Sequence, residues 1–507
     1  MTSRQRWTLA AVCVSTALLL INVAAPNVAL EAIAGDLDAS FTDLQWVLSG
    51  YALVLAVFQL TAGSLADLFG RKRLFVGGLC LFTFASALCA LASSAGWLIV
   101  ARAVQGLGAA IVFPSSLALL AQEFEGAQRG RAIGIWGATI GLAFAAGPLV
   151  GGVLVEPFGW QAIFVLGVVF GVPTIVFAVR QVRESRDPDP KPVDWPGVAT
   201  LSTGLFLIVF AVLRGNALGW TSAPVLGLVA AGLAFLAAFA AVELRSDAPM
   251  LDLALFRNRT FLGATIIVAS LSAGSFGAFV YLSLFMLAVR RGSPVEVGLW
   301  LAPLAVVAFG VSLAAGRMSE RVPLRGALVV GMALTAVGLL LMTGVDSETT
   351  WLDLLPGLIV IGAGIGLANP LVTFAHLGVL PPVQGGLASG INNTARQLGL
   401  AIGIAVLGAL LQSHIAVRVE ARTDGLGATR GAVTDRIADG DLAAATQLAP
   451  AAARDSLRST YDAAFASGLD ELLLISVALA LAGLVAALTL VHTRDLWQQG
   501  EGAGQGV

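Results

Sequence analysis

The sequence predicts an all-α polytopic membrane protein with fourteen spans. Two observations carry that reading. The chain of 507 residues is 57% hydrophobic and only 12% charged, about half the charged share of an average soluble domain. The charges also cluster in short segments between apolar runs of about 20 residues, the length a helix needs to cross a bilayer. A single soluble core, moreover, stops growing well below this chain length.

The apolar runs follow in order at 7–30, 44–66, 74–93, 97–120, 131–154, 160–180, 197–214, 224–243, 261–288, 297–316, 326–344, 353–376, 386–411 and 468–492. The first begins after Arg4 and Arg6. It is longer than a signal-peptide core and lacks an A-x-A cleavage site, so it is read as a span. The Lys/Arg bias sets the orientation. An inside N-terminus places the basic segments 71–73, 125–131, 180–192, 243–259 and 316–326 and Arg494 in the cytoplasm. Arg290 and Arg291 fall outside, against the bias. An even number of spans brings both termini to the cytoplasm. Segment 412–467 falls outside as well. Its Ala, Asp and Arg recur at near-helical spacing, which suits a short amphipathic hairpin or a partly ordered linker.

A repeat organises these spans. Gly63 is followed four residues later by Asp67, and Gly316 four residues later by Glu320. Both stretches end in cations, after the second helix of a group. The expected domains are an N-terminal six-helix bundle (1–182) and a linker carrying two extra transmembrane helices (183–258), entered through Pro-rich 188–196. A C-terminal six-helix bundle (259–495) contains the extracytoplasmic segment 412–467, and a cytoplasmic tail (496–507) follows. Internal repeats with a site at their interface are the mark of secondary transporters. No P-loop sequence is present, which argues against direct use of ATP. The net charge of −2 gives no basis for a nucleic-acid partner. Cys13, Cys80 and Cys89 lie in apolar runs and suggest neither a disulfide framework nor a metal site. The excess of 27 Arg over 2 Lys reads as base-composition bias.

Residues 63–73, GSLADLFGRKR, resemble the signature G-x-L-a-D-r-x-G-r-[KR] that the major facilitator superfamily carries between spans 2 and 3. Further segments resemble its fourteen-span drug:proton antiporter (multidrug-efflux) subfamily. These are LQWVLSGYAL (44–53), ARAVQGLGAAIVFPSSLAL (101–119), GATIGLAFAAGPLVGGVL (137–154) and SGINNTARQLGLAIGIAVLG (389–408). The resemblance runs from about residue 7 to 411 and resumes at 468. It implies a major facilitator fold, two six-helix bundles plus two inserted central helices. It also implies a conformational latch built from Gly63, Asp67, Gly70, Arg71, Lys72 and Arg73. There the Asp pairs with a helix end and with the cations, and so holds the two bundles in one state. Gly63 and Gly70 allow close helix contact and a tight turn.

An ionisable group inside a span is costly and therefore a functional candidate. Arg102 lies in the outer half of span 4, one turn from Gln105. Arg396 lies mid-way along span 13 among Asn392, Asn393 and Gln397. The resemblance assigns Arg102 to a motif implicated in proton transfer. In span 5, Gly137/Gly141 and Gly147/Gly151 form G-x-x-x-G pairs that let helices approach, Gly152 adjoins them, and Pro148 permits a bend. The resemblance ties this stretch to antiporters. Asn22, Asn27, Trp46, Tyr51, Gln59 and Asn369 complete a candidate amphipathic cavity with Gln105, Asn392, Asn393 and Arg396.

The first span departs from the family pattern L-D-x-T-I-V-N-V-A-L-P-x-I. In INVAAPNVALEAIAGDL (21–37), Asn27 falls on the family Asn, Asn22 on the Asp and Glu31 on the Pro. The usual intramembrane carboxylate is therefore absent. Glu31, Asp36 and Arg102 are the proton-coupling candidates. With two interior arginines and few acids, the cavity leans positive and favours neutral or anionic substrates.

The expected function is proton-coupled export of small amphipathic organic molecules by alternating access. The chain is then a bacterial cytoplasmic-membrane protein acting as a monomer, with substrate, protons and the lipid bilayer as partners. It needs no cofactor beyond the proton gradient, and no metal. A proton-coupled importer or uniporter, or a non-transporting membrane sensor, is the alternative. No His or carboxylate cluster stands at catalytic or metal spacing, which excludes an enzyme. His376, His414 and His492 are scattered, and solvated or helix-end roles suffice for them.

Overall fold

A computed structural model describes the chain except for residues 187–191, 247–248, 319–322, 382–383, 421–430, 432, 434–441, 451–452, 493–494 and 496–507. The described residues form helices joined by turns and short connections, with no strand among them. Fourteen helices carry the architecture: α1 Ser3–Leu37, α2 Phe41–Phe69, α3 Arg71–Ala90, α4 Ala95–Glu123, α5 Gly126–Phe158, α6 Gln161–Gln181 and α7 Trp195–Leu218. They continue with α8 Ala223–Glu243, α9 Arg259–Ala288, α10 Pro294–Met318, α11 Leu324–Leu340, α12 Trp351–Val379, α13 Gly385–Glu420 and α14 Arg454–Leu490. Each of the fourteen predicted runs falls on one of them. Among the described residues, twelve are long and apolar enough to cross a membrane. The shorter apolar helices are α11 and the Leu149–Phe158 portion of α5.

Local chemistry sets the boundaries. Thr2 and Ser40 form capping boxes at the starts of α1 and α2, and Asn258 caps α9, each satisfying N–H groups that a helix start leaves open. Gly70 separates α2 from α3 at φ +112°, a backbone conformation that side chains with a Cβ rarely adopt. α1 is not a uniform helix: Ala25–Ala29 is a 3₁₀ turn that begins with Pro26 at its second position. α9 likewise holds one π turn, Ser272–Phe276.

The segment predicted as the loop 412–467 is shorter than expected. α13 continues to Glu420 and α14 begins at Arg454, with the short helix Leu442–Leu448 between them. The charges of these extensions lower their hydropathy, yet Ile415, Val419, Leu457 and Tyr461 are buried on their inner faces. His414 Nδ1 and Glu471 Oε2 join the two helices at 2.9 Å.

Packing divides the chain. α1 packs on α5 and α6, α2 on α4, and α3 on α4 and α6. In the second half, α9 packs on α14, α11 on α12 and α14, and α10 on α12. Two seams join the halves, α2 against α13 and α5 against α10, and α7 lies over the first seam while pairing with α8. One buried apolar cluster is drawn from α9–α14. A second, mainly from the first half, also takes in Phe261, Leu387 and Ile391, and a third, smaller one gathers Ile33, Val47, Leu98 and Phe164. α6 and α8 leave Val169, Phe170, Leu226 and Leu233 exposed, as lipid-facing surfaces require.

Candidate functional site

The seam between α2 and α13 brings two backbones together. A Cβ on Gly63 would collide with the carbonyl oxygen of Gly386, and one on Gly390 would sit 3.1 Å from the Cα of Leu60. That approach places the 94%-buried Asp67 against the first turn of α13. Its Oδ1 accepts from the N–H of Gly386 at 3.0 Å, and its Oδ2 from the N–H of Leu387 at 2.9 Å. A helix N-terminus carries open N–H groups and partial positive charge, so a carboxylate suits it. Arg71 completes the pair: its Nε donates to Asp67 Oδ1 at 2.8 Å, and its Nη1 to Gln122 Oε1 at 3.3 Å. Lys72 and Arg73 face elsewhere. Lys72 Nζ donates to the carbonyl of Val179, and Arg73 lies 3.6 Å from Glu184. The segment therefore splits. Asp67 bonds across the seam where Gly63 lets the backbones close, and Arg71 ties Asp67 to Gln122, while the other two cations tie α3 to the end of α6. The matching stretch 316–326 includes residues 319–322, which lie outside the described residues.

Arg102 is 1% exposed. Its Nε donates to the carbonyl of Val47 at 2.9 Å and its Nη1 to Gln105 Oε1 at 2.7 Å. The guanidinium lies over the Tyr51 ring, 4.4 Å from the centroid, with Phe164 at 5.7 Å. Gln105 Nε2 in turn donates to Asn22 Oδ1 at 3.1 Å and Ser86 Oγ at 2.8 Å. Asn22 also donates to the carbonyl of Leu18, so its amide is used at both ends. At this position the sequence replaces an expected acid with a neutral linker in the Arg102 network.

Arg396 is the counterpart in the second half. Its Nη1 donates to Asn369 Oδ1 at 2.6 Å and its Nη2 to Asn392 Oδ1 at 3.4 Å, while Nε has no partner among the described residues. Asn392 passes the network on to His376, whose Nδ1 lies 3.0 Å from Asn392 Nδ2. His376 Nε2 lies 3.0 Å from Thr265 Oγ1, which donates to the carbonyl of Phe261. His376 Nδ1 also lies 3.1 Å from the carbonyl of Val372, so this one nitrogen faces an acceptor and the Asn392 amide together. His376 is fully buried and stacks edge-on against Phe261. The solvated or helix-end role expected of it is therefore overturned. It sat on the last residue of a predicted span, and an ionisable residue inside a span was the signal that marks it.

Neither arginine has a carboxylate within 4.0 Å among the described residues. Amides, carbonyls and rings hold both, so two desolvated positive charges remain in the interior.

The ten cavity candidates fall into separate hydrogen-bonded and stacked groups. Asn22, Tyr51 and Gln105 surround Arg102, and Asn369 and Asn392 surround Arg396. Gln59 and Asn393, each 1% exposed, lie on the two seam helices. Their oxygens, Gln59 Oε1 and Asn393 Oδ1, have no partner among the described residues. Asn27 is exposed and bonds to the carbonyls of Val23 and Ala24 in its own helix. Trp46 stacks on Phe210 of α7. Glu31 is exposed, one turn beyond Asn27. Asp36 receives the Trp160 indole N–H at 2.9 Å and the Gln161 amide at 3.1 Å, which anchors the start of α6.

α5 faces both halves. A Cβ on Gly147 would strike Ala24, and one on Gly151 would lie 2.5 Å from Val28, both at the 3₁₀ break in α1. Gly137 faces Pro370 of α12 and Gly152 faces Val295 of α10, both at ordinary contact distance, whereas Gly141 has open space. Pro148 lies between the two glycines that meet α1.

Two helical halves joined by two seams, with charged and amide networks buried between the spans, define a polytopic transporter and not an enzyme. The chain belongs to the Major Facilitator Superfamily, whose model matches residues 12–404. It is 32% identical to the tetracenomycin C resistance and export protein of Streptomyces glaucescens, over 96% of this chain and 91% of that one. It is also 32% identical to the multidrug efflux pump LfrA of Mycolicibacterium smegmatis, over 94% of each chain. With the multidrug resistance protein Stp of Mycobacterium tuberculosis it shares 33% identity over 79% of this chain and 74% of that one. Two solved structures share the fold. The human organic anion transporter MFSD10 matches at TM-score 0.61 and 15% identity, over 95% of this chain and all of that one. A bacterial homologue of the lysosomal transporter Spinster matches at TM-score 0.58 and 17% identity, over 98% of this chain and all of that one.

Proposed function

We propose that the chain is a proton-coupled exporter of small amphipathic organic molecules, working by alternating access as a monomer in the bacterial cytoplasmic membrane. Its bundles are 1–182 and 259–495, joined through 183–258, and both termini face the cytoplasm. The observation that carries alternating access is the contact of Asp67 with the first turn of α13, 319 residues away. It fastens the two halves at one end by side-chain bonds that separate without unfolding either half. That end is the cytoplasmic one in this orientation, so the latched state opens outward. Export rests on the names of the relatives, two of which are resistance or export proteins over nearly their whole length.

Buried Arg102 and Arg396 without acid partners favour neutral or anionic substrates. Gln59 Oε1 and Asn393 Oδ1 offer unpaired acceptors on the seam to a ligand bearing hydroxyl groups. Glu31, exposed beyond the break in α1, is the carboxylate we assign to proton exchange. The test uses everted vesicles loaded with a pH-sensitive dye and energised by respiration. Tetracenomycin C is added to one sample and the permanent cation ethidium to another. Proton release with the first, lost in Glu31→Gln, is the expected outcome. Release with neither compound removes the antiport reading, and a preference for ethidium removes the charge argument.

A further inference from the structure

Asp194 and Glu243 meet at the open end of the α7–α8 hairpin, away from the networks described above. Asp194 caps α7: its Oδ1 accepts from the N–H of Gly197 at 2.8 Å. Glu243 ends α8, and its Oε2 accepts from the N–H of Leu251 at 3.2 Å. Asp194 is 8% exposed and Glu243 5%. The second oxygen of each, Asp194 Oδ2 and Glu243 Oε1, is buried without a hydrogen-bond partner. Both of these oxygens lie within 3.0 Å of the point where a Cβ on Gly197 would sit. They face one another over Gly197, and the missing Cβ is what lets them do so.

Two ionised carboxylates buried side by side are costly through desolvation and repulsion together. Beyond the N–H groups of Gly197 and Leu251, no cation among the described residues pairs with them. Asp252 adds a further negative field at Glu243. Arg245 and Arg257, on the segments that follow α8, make no ion pair with either acid among the described residues. At the near end of α2, Asp67 and Arg71 satisfy each other, and α13 carries no ionisable residue before Arg396. A divalent cation takes about six or more oxygen ligands. No group of three His, Cys, Asp or Glu that could hold a metal occurs among the described residues. A single proton answers with two oxygens. It neutralises one acid and joins the orphan oxygens in one short O–H···O⁻ bond.

We propose that Asp194 and Glu243 share one proton, and that this proton fastens the hairpin and the 249–257 segment leading into α9. It is a bound, structural proton, distinct from any that is transported. The folded chain keeps it above the ordinary carboxylate range, near pH 4, where the unfolded chain has lost it. Stability therefore falls as pH rises, until the shared proton is released, and is level beyond that.

The test compares purified full-length protein with Glu243→Gln, whose amide donates to Asp194 without titrating. Melting temperatures are read between about pH 5 and pH 9. The expected result is a wild-type melting temperature that falls with pH by about 2–4 °C more than that of the variant. Parallel profiles overturn the proposal. Infrared spectra give a second reading that survives a poorly folding variant. Wild type shows a protonated-carboxyl carbonyl band at neutral pH that Asp194→Asn alters, and wild type without that band overturns the proposal. Sodium, potassium, magnesium and calcium chlorides are then compared at constant ionic strength. A wild-type-specific rise with one of them means that a cation holds the pair, and again overturns it.

Discussion

Asp67 Oδ1 accepts hydrogen bonds from Arg71 at 2.8 Å and from the N–H of Gly386 at 3.0 Å, so one oxygen serves both halves of the molecule. In Asp67→Asn the carboxamide keeps the shape but leaves Arg71 buried without its counter-charge. Arg71 belongs to the same half as Asp67, so the cost specific to the latched state is the lost charge in the bonds from Gly386 and Leu387, about 1.5–3 kcal/mol, and about 1.4 kcal/mol is tenfold in an equilibrium. The latched state should lose population by a factor of roughly 10–100. The measurement is the labelling rate of a cysteine replacing the buried Leu387, in a background without Cys13, Cys80 and Cys89. An unchanged rate on Asp67→Asn means that the contact does not hold the halves together.

Arg102 uses its fork and its flat face together, donating to Val47 and Gln105 while stacking on Tyr51. Lysine keeps the charge but has neither the fork nor the plane. Arg102→Lys should therefore lower substrate-driven efflux by about tenfold or more, as the loss of one charged hydrogen bond requires. Efflux is read in everted vesicles at matched protein levels. Efflux equal to wild type reduces the site to a point charge.

The span pattern is legible in the sequence because lipid demands long uninterrupted apolar helices, and each predicted run falls on one. The helical spacing in 412–467 is legible as well, but not that α13 runs on to Glu420 and α14 starts at Arg454, because Arg454, Asp455, Arg458 and Asp462 lower the hydropathy of a helix that buries only one face. The resemblance of residues 63–73 to the family signature implies a latch, but the meeting of Gly63 and Asp67 with Gly386 is a tertiary fact without a local trace. Asp194 and Glu243 carry no signal in the sequence beyond their places beside predicted spans, since only packing turns their free oxygens toward each other. His376 is passed over for a similar reason, lying at the edge of a run where helix ends usually meet water.

His376 and Asn392 are coupled through a 3.0 Å hydrogen bond in a buried network that ends on Arg396. Each of His376→Phe and Asn392→Ala strands a buried polar group, which costs about 1–3 kcal/mol. Because they remove the same bond, the double variant should be less destabilised than the sum by about 1 kcal/mol. A double-mutant cycle in chemical unfolding of the purified protein reads this directly. Strict additivity means that the two residues act independently, and with it the relay to Arg396 is lost.

The two helical extensions place exposed side chains well beyond the spans. Val417, 66% exposed on α13, lies in the segment that the Lys/Arg bias assigns to the outside, whereas Phe69, 51% exposed at the end of α2, lies at the latch. In a cysteine-free background, Val417→Cys should react with a membrane-impermeant maleimide in intact cells, and Phe69→Cys only in everted vesicles. Neither substitution removes a buried contact, so both should fold and stay within about 0.5 kcal/mol of wild type. The reverse labelling pattern inverts the topology. The end fastened by Asp67 then faces outward, and the latched state opens to the cytoplasm instead.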